Sequence, residues 1–253
     1  MSIVNLKDVS AGYEGGFKME DITLGVDRES FTGIIGPNGS GKTTLLKIIS
    51  GIFKIVKGRV ELDGHNIENL EAKQKSRLIA YVPSESLVNF NYTVLDITLF
   101  GRYPYTGRLD RYKKTDKEKA RRALDLCGVE NVSTRLFNTL SSGEKKKVLI
   151  ARSLCQETEV LLLDEPAAHL DIHHVKEIFN LLAQLRNEGK TVITILHDIN
   201  LASIYCDEIV VLKQGEIKFK GVKDEIVKSR FLSEIYGGKI EVKKLNGDRF
   251  VVP

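Results

Sequence analysis

The chain has 253 residues, 42% hydrophobic and 28% charged, with a formal net charge of +4. That length suffices for a large buried core, and no apolar run approaches the roughly 20 residues that a membrane-crossing helix needs. The mild positive surplus is spread along the chain and fits a solvated surface rather than a nucleic-acid footprint, and Lys7 and Asp8 interrupt the N-terminus too early for a signal-peptide core.

In chain order, Ile3–Leu6 and Ile22–Leu24 read as short strands separated by Gly15-Gly16. Phe31–Ile35 is a third strand that runs into a glycine-rich loop, and a helix follows from Lys42 to Ser50, stopped by Gly51. Arg59–Leu62 with Asp63-Gly64 predicts a strand entering a tight turn. From Val94 to Ala151 the pattern is mostly helical. Thr115 and Glu118 have capping-box spacing, with Ala120, Ala123, Leu124 and Cys127 on one helical face. Lys145-Lys146-Lys147 reads as an exposed helix face. Strand and helix then alternate: 160–163, 172–185, 191–196, 199–205 and 209–212, which predicts a parallel sheet with helices packed on it. A further helix and a hairpin turning at Asn246-Gly247 end the chain. Cys127, Cys155 and Cys206 have no metal-like spacing and are expected to be buried thiols in a reducing compartment.

Two segments carry chemistry. Gly36-Pro37-Asn38-Gly39-Ser40-Gly41-Lys42-Thr43 matches G-x-x-x-x-G-K-[ST], between a predicted strand and a predicted helix as the motif requires. Its glycines let amides turn toward an anion, and the helix N-terminus adds partial positive charge. Lys42 can then reach the β- and γ-phosphates of a nucleotide, and the Thr43 hydroxyl can hold Mg²⁺. The second segment is Val160-Leu161-Leu162-Leu163-Asp164-Glu165, an apolar strand ending in two carboxylates. Ligands of α/β sheets bind at such strand ends. Asp164 suits Mg²⁺, and Glu165 suits orienting and deprotonating a water.

Leu140-Ser141-Ser142-Gly143-Glu144 narrows the choice among nucleotide-binding proteins. Bottom-up it is a capping box opening a helix, hence an anion site. It also resembles the LSGGE signature of ABC ATPases, with Ser142 in place of the first glycine. The other matches come in that family's order. Tyr13 sits where the family has an adenine-stacking aromatic. Ala168-His169-Leu170-Asp171 resembles its D-loop, and His197 its switch histidine. Phe100-Gly101-Arg102-Tyr103-Pro104, the run 167–172 and the run 197–202 look most like the ATPases of iron-siderophore, haem and cobalamin importers.

The resemblance implies an α/β P-loop NTPase (RecA-like) core with an N-terminal antiparallel β subdomain and an inserted α-helical subdomain. On that reading residues 1–253 are one ABC ATPase domain: 1–84 and 156–253 form the core with the β subdomain, and 85–155 form the helical segment. It implies a head-to-tail homodimer in which each ATP, with Mg²⁺, lies between residues 36–44 (Thr44 included) of one subunit and Ser141, Ser142, Gly143 and Glu144 of the other. Catalysis would fall to Glu165, His197 and Lys42, and Asp171 would link the two sites. The implied partners are transmembrane permease subunits and, indirectly, a periplasmic or extracellular substrate-binding protein, with no direct nucleic acid. The implied location is the cytoplasmic face of the membrane. Phe90, Tyr92, Phe100, Tyr103, Tyr105 and Tyr112 form the expected permease surface. One departure stands out: after Tyr81-Val82-Pro83 the family has a Gln that touches the metal, and here Ser84 then Glu85 follow. Either could serve it, Ser84 through a water or Glu85 through its carboxylate. The rival readings are a soluble ABC ATPase acting on nucleic acid or ribosomes, and a weakly hydrolysing nucleotide sensor.

Overall fold

The computed structural model describes residues 1–13, 16–84, 91–107, 110–226, 229–236, 241–245 and 248–252. The chain divides into two compact units, Met1–Asn69 with Leu185–Pro253, and Leu70–Gln184.

The first unit opens with β1 (Ser2–Gly12) and β2 (Lys18–Asp27), both longer than the apolar runs that announced them. The two pair antiparallel, with register shifts between Leu6 and Val9. This main-chain pairing carries the strands through Lys7 and Asp8, and the bulge absorbs the left-handed φ of 48° at Asp8. Ile3, Val4, Leu6 and Val9 of β1 are buried with Met19, Ile22, Leu24 and Val26 of β2. At roughly 1.5–3 kcal/mol for each fully buried large side chain, such a face holds the sheet together. Next come β3 (Phe31–Ile35), α1 (Lys42–Ile49), β4 (Lys57–Leu62) and β5 (His65–Asn66). The sheet order β2-β1-β4-β5 is antiparallel throughout. Asp63 (φ 51°) and Gly64 (φ 74°) make the tight turn expected between β4 and β5.

In the second unit α2 (Ala72–Leu78) leads into β6 (Ile79–Val82). The helices α3 (Val94–Leu99), α4 (Lys114–Leu126) and α5 (Ser142–Cys155) follow, then β7 (Val160–Leu163) and α6 (Ile172–Asn187). β6 and β7 are parallel, Val82 opposite Leu163. The helical face expected on α4 is buried at Ala120, Ala123 and Leu124. Its cap differs from expectation. The N-cap is Lys113, whose amide donates to Asp116 Oδ2 at 2.9 Å, so Thr115 and Glu118 form no box. A non-local partner made that choice: Asp116 Oδ1 also accepts from Arg102 Nε at 3.0 Å. Arg102 itself is buried, with further bonds to the Cys155 carbonyl and Glu157, and its guanidinium lies 4.1 Å from the Tyr105 ring centroid.

Arg102→Ala is expected to lower stability by about 3 kcal/mol in urea unfolding, because Asp116 then stays buried without its cation. Burial pushes the Asp116 carboxyl up, but the Lys113 amide and the Arg102 guanidinium outweigh burial and hold it below its ordinary value. A lowered folded-state value contributes stability above the unfolded carboxylate range and loses it as pH falls through the folded value. The gap between wild type and Arg102→Ala should therefore narrow in acid.

The chain returns to the first unit with β8 (Thr191–Ile195), α7 (Ile199–Tyr205), β9 (Glu208–Lys213) and β10 (Glu216–Val222). β3 is parallel to both β8 and β9, and β10 closes antiparallel on β9. Every residue of β3 and β8 is buried, as parallel strands covered on both faces require. Cys206 packs under β3: a Cβ on Gly33 would lie 2.7 Å from its Sγ. All three cysteines are buried thiols without disulfides, as expected. The helices α8 (Lys223–Ile226) and α9 (Ser229–Tyr236) precede β11 (Glu241–Leu245) and β12 (Asp248–Val252). These last strands pair antiparallel with Leu245 opposite Asp248, flanking the predicted turn residues Asn246 and Gly247, which lie outside the described residues. Among the described residues no helix is long and apolar enough to cross a membrane.

Candidate functional site

In the first unit the phosphate loop leaves the buried strand β3 and enters α1, as its motif demands. Gly36 (φ 150°), Gly39 (φ 74°) and Gly41 (φ 103°) all adopt backbone that side chains disfavour. A Cβ at Gly36 would collide with the Leu212 carbonyl, and one at Gly41 would lie 2.6 Å from the Phe17 ring. Lys42 is 6% exposed, and its ammonium donates to the carbonyls of Gly36 (2.9 Å) and Pro37 (3.0 Å). The positive charge is thus held inside the curl of its own loop. Pro37, Asn38 and Gly39 form the open rim, Ser40 and Thr44 are buried, and Thr43 is half-buried at the start of α1. The buried Ser40 hydroxyl has no hydrogen-bond partner among the described residues. An unsatisfied buried hydroxyl is costly, and this one lies beside Gly36 at the start of the loop.

Two further expected residues belong to this unit. His197 is exposed and follows β8, whose Ile195 pairs with Ile34 of β3. The histidine therefore emerges at the same strand ends as the phosphate loop. Leu196 anchors it by donating its amide to the Ile34 carbonyl at 3.0 Å. Tyr13 is 51% exposed, edge-on to Phe53 with ring centroids 4.9 Å apart. It borders a cavity of about 420 Å³ lined also by Ala11, Lys18, Met19 and Val56. Sequence reading missed Phe17. Its carbonyl accepts the Tyr13 amide at 3.0 Å while its ring lies against Gly41, so it ties the Tyr13 turn to the phosphate loop.

In the second unit Asp164 is 3% exposed at the end of β7 and accepts a hydrogen bond from the Tyr81 hydroxyl at 2.9 Å. Burial, and then the Asp164 charge, push the Tyr81 hydroxyl well above the ordinary tyrosine range. Tyr81 therefore stays a proton donor and fixes the orientation of the Asp164 side chain. Glu165, half-buried, has left-handed backbone at φ 48°, and its carbonyl accepts the Ala168 amide at 3.1 Å. Such strain in a residue with a long side chain concentrates at functional turns. Ser84 leaves β6 beside these acids, since Val82 pairs with Leu163. Glu85 lies outside the described residues.

The lysine run departs from expectation. Lys146 of α5 is 6% exposed rather than on an open face, and its ammonium donates to the Ser84 carbonyl at 2.7 Å. Lys147 is paired with Glu177 at 2.7 Å. The signature helix thus holds the exit of β6 by a charged hydrogen bond that periodicity could not reveal.

The capping box at Ser141 is as expected. Ser141 Oγ accepts from the Glu144 amide (3.3 Å), and the Ser141 amide donates to Glu144 Oε2 (2.9 Å). The bonds from the Ser141 amide and hydroxyl hold the Glu144 carboxyl below its ordinary value. Ser141 and Ser142 are exposed, and Gly143 is buried against the His174 ring. Asp171 accepts the His174 amide at 3.0 Å, which with the side-chain bond to His174 Nδ1 keeps its carboxyl low.

Around the expected permease surface, Tyr92, Phe100, Tyr103 and Tyr105 are exposed, Tyr112 is half-buried, and Phe90 lies outside the described residues. The segment is braced from α2. Arg77 donates to the Pro104 carbonyl, and Lys73 to the Thr106 carbonyl.

The family model described as ABC transporter matches residues 19–168, a span that contains the phosphate loop, the signature segment and both carboxylates. The chain belongs to the ABC transporter family. Members of this family are ATPases, and this chain is one. It is 34% identical over 252 residues to the petrobactin import ATP-binding protein YclP of Bacillus subtilis (strain 168), covering 99% of each chain. It is 34% identical over 232 residues to the ferric enterobactin transport ATP-binding protein FepC of Escherichia coli (strain K12), covering 91% of this chain and 86% of the other. Among solved structures it resembles the ATP-binding cassette MJ0796, a dimer in a post-hydrolysis state bound to ADP and Pi (28% identity, TM-score 0.77, 87% of this chain and 98% of that one). Within the ABC framework, sequence reasoning passed over Phe17 and His174, named Tyr81 without giving it a role, and read Lys146 as exposed. Each has a partner remote in the chain, and the local signals were the aromatic four residues after Tyr13 and the three-residue spacing of Asp171 and His174.

Proposed function

We propose that the chain is the ATP-hydrolysing subunit of an importer whose cargo is an iron chelate of the siderophore type. Haem and cobalamin, the other cargoes expected from sequence, find no namesake in the two relatives above, which are named for petrobactin import and ferric enterobactin transport. The observation that carries the ATPase reading is the phosphate loop with Lys42 folded into it.

On this reading the loop amides and Lys42 hold the β- and γ-phosphates, and Tyr13 stacks on the base. Thr43 and Asp164 are hard oxygen donors of the kind Mg²⁺ prefers, and the metal would neutralise charge on the phosphates. Glu165 orients and deprotonates the attacking water, and His197 contacts the γ-phosphate. Two copies pair head to tail, so that Ser141–Glu144 of one subunit face the nucleotide of the other, with Asp171 linking the two sites. The dimeric ADP-bound cassette that this chain resembles supports that arrangement. Closure expels water and strengthens each charge contact, and loss of the γ-phosphate lets the dimer reopen. The subunit would sit at the cytoplasmic face through its permease, with a substrate-binding protein acting indirectly and no direct nucleic acid.

The test is Mg²⁺-dependent ATPase activity of the chain with its co-purified permease, with and without a ferric siderophore complex. Chelate-stimulated turnover is expected; no turnover in the assembled complex would leave the sensor reading instead. Tyr103, 59% exposed among braced aromatics, supplies a second check. Tyr103→Glu should reduce permease co-purification by about tenfold while ATP affinity holds, because charge is depleted from interface cores. Normal assembly of that variant would remove this surface from the proposal.

A further inference from the structure

Gly143 and Asp171 lie 28 positions apart, yet one side chain touches both. A Cβ on Gly143 would lie 2.8 Å from both Cγ and Nε2 of the His174 ring, and closer still to Cδ2. No side chain fits there. The ring is held in turn: His174 Nδ1 is 2.8 Å from Asp171 Oδ2, and the His174 amide donates to Asp171 Oδ1 at 3.0 Å. With one carboxylate gripping both the ring and the backbone of His174, its rotamer is set, and the ring edge stays on Gly143. Gly143 is in the first turn of α5, whose other supports are local bonds between Ser141 and Glu144. Asp171 also begins α6, accepting the Val175 amide on its carbonyl at 3.0 Å.

We propose that His174 is a positioning residue that clamps the first turn of the signature helix to the Asp171 turn, so that both segments present themselves to the partner subunit's nucleotide as one piece. This rests on the head-to-tail reading above. The physical content is steric and directional. A helix N-terminus binds phosphate well only when its amides are preorganised. Ring packing on a bare Cα restrains rotation of that first turn in a way a capping box alone does not. A flexible residue at 174 would leave the cap intact, but α5 would then be tied to α6 through the Lys147–Glu177 ion pair, beyond the first turn, and the turn itself would lose its contact. The glycine at 143 is then required by the ring, whereas close approach of a phosphate would be a separate reason for it.

These two reasons for the glycine separate by experiment. In the full chain with its permease, ATP turnover is measured for His174→Ala, Gly143→Ala and the double variant, and ATP·Mg²⁺ affinity of each single subunit by titration. Dimerisation is followed by light scattering with each change placed on Glu165→Gln. We expect Gly143→Ala to lose at least about a hundredfold in turnover and His174→Ala about tenfold, with the double variant close to His174→Ala, because removing the ring removes the clash. ATP-driven dimerisation should weaken about tenfold in His174→Ala with single-subunit ATP affinity unchanged, a split that general loss of stability would not produce. If Gly143→Ala is equally defective with and without the ring, or if His174→Ala dimerises normally, the clamp is wrong while the ATPase reading stands. If the wild-type chain fails to bind ATP, the functional reading falls and takes the clamp with it.

Discussion

Glu165→Gln is expected to cut ATP turnover by roughly 10²–10⁴-fold, the range for loss of a positioned general base, and to leave an ATP-bound dimer that persists on gel filtration. Glu165 follows the buried Asp164 and is held at φ 48° by the turn in which its carbonyl accepts the Ala168 amide. Glutamine matches glutamate in size and shape, so it should keep this turn while losing the basic oxygen. The nucleotide should still bind, because the phosphate loop is untouched. Phosphate-release kinetics with and without the substitution, run beside gel filtration in ATP·Mg²⁺, make the comparison. Unchanged turnover would remove Glu165 as the base and revive the question of what Ser84 and Glu85 contribute.

Lys42→Ala should lower ATP affinity by about 10–100-fold in calorimetry, the equivalent of one charge-assisted hydrogen bond of about 1.5–3 kcal/mol net. The ammonium makes two bonds to loop carbonyls. Its removal therefore costs twice, once in the tether that shapes the loop and once in the charge offered to phosphate. Lys42→Arg should not restore affinity, since a planar fork does not fill the place of a compact ammonium. Affinity within twofold of wild type in either variant would show that the loop amides suffice and that Lys42 is not the grip.

The legible and illegible parts of the fold differ by the range of the interactions behind them. The turn at Asp63-Gly64, the stop at Gly51 and the box at Ser141 are where sequence reading placed them, because each is settled within a few residues by φ or by an i to i+3 hydrogen bond. Thr115 and Glu118 had the same spacing and did not form a box, because Arg102 draws Asp116 into service at the cap of α4. Lys146 reads as one of three solvated lysines, yet it donates to a carbonyl 62 positions away. β1 and β2 run beyond their apolar stretches because main-chain pairing, not side-chain pattern, sets their ends.

Sequence alone determined the phosphate loop, the acidic end of β7 and the signature cap, since glycine conformations, a strand of four apolar residues and a serine cap are local commitments of the backbone. Only the tertiary structure decided how those parts are held. Tyr81 steadies Asp164 from 83 positions away, Phe17 seats the Tyr13 turn on Gly41, and His174 joins Gly143 to Asp171. Each of these contacts joins residues whose proximity is created by folding, and no period or spacing in the chain encodes a distance that exists only once the core has closed.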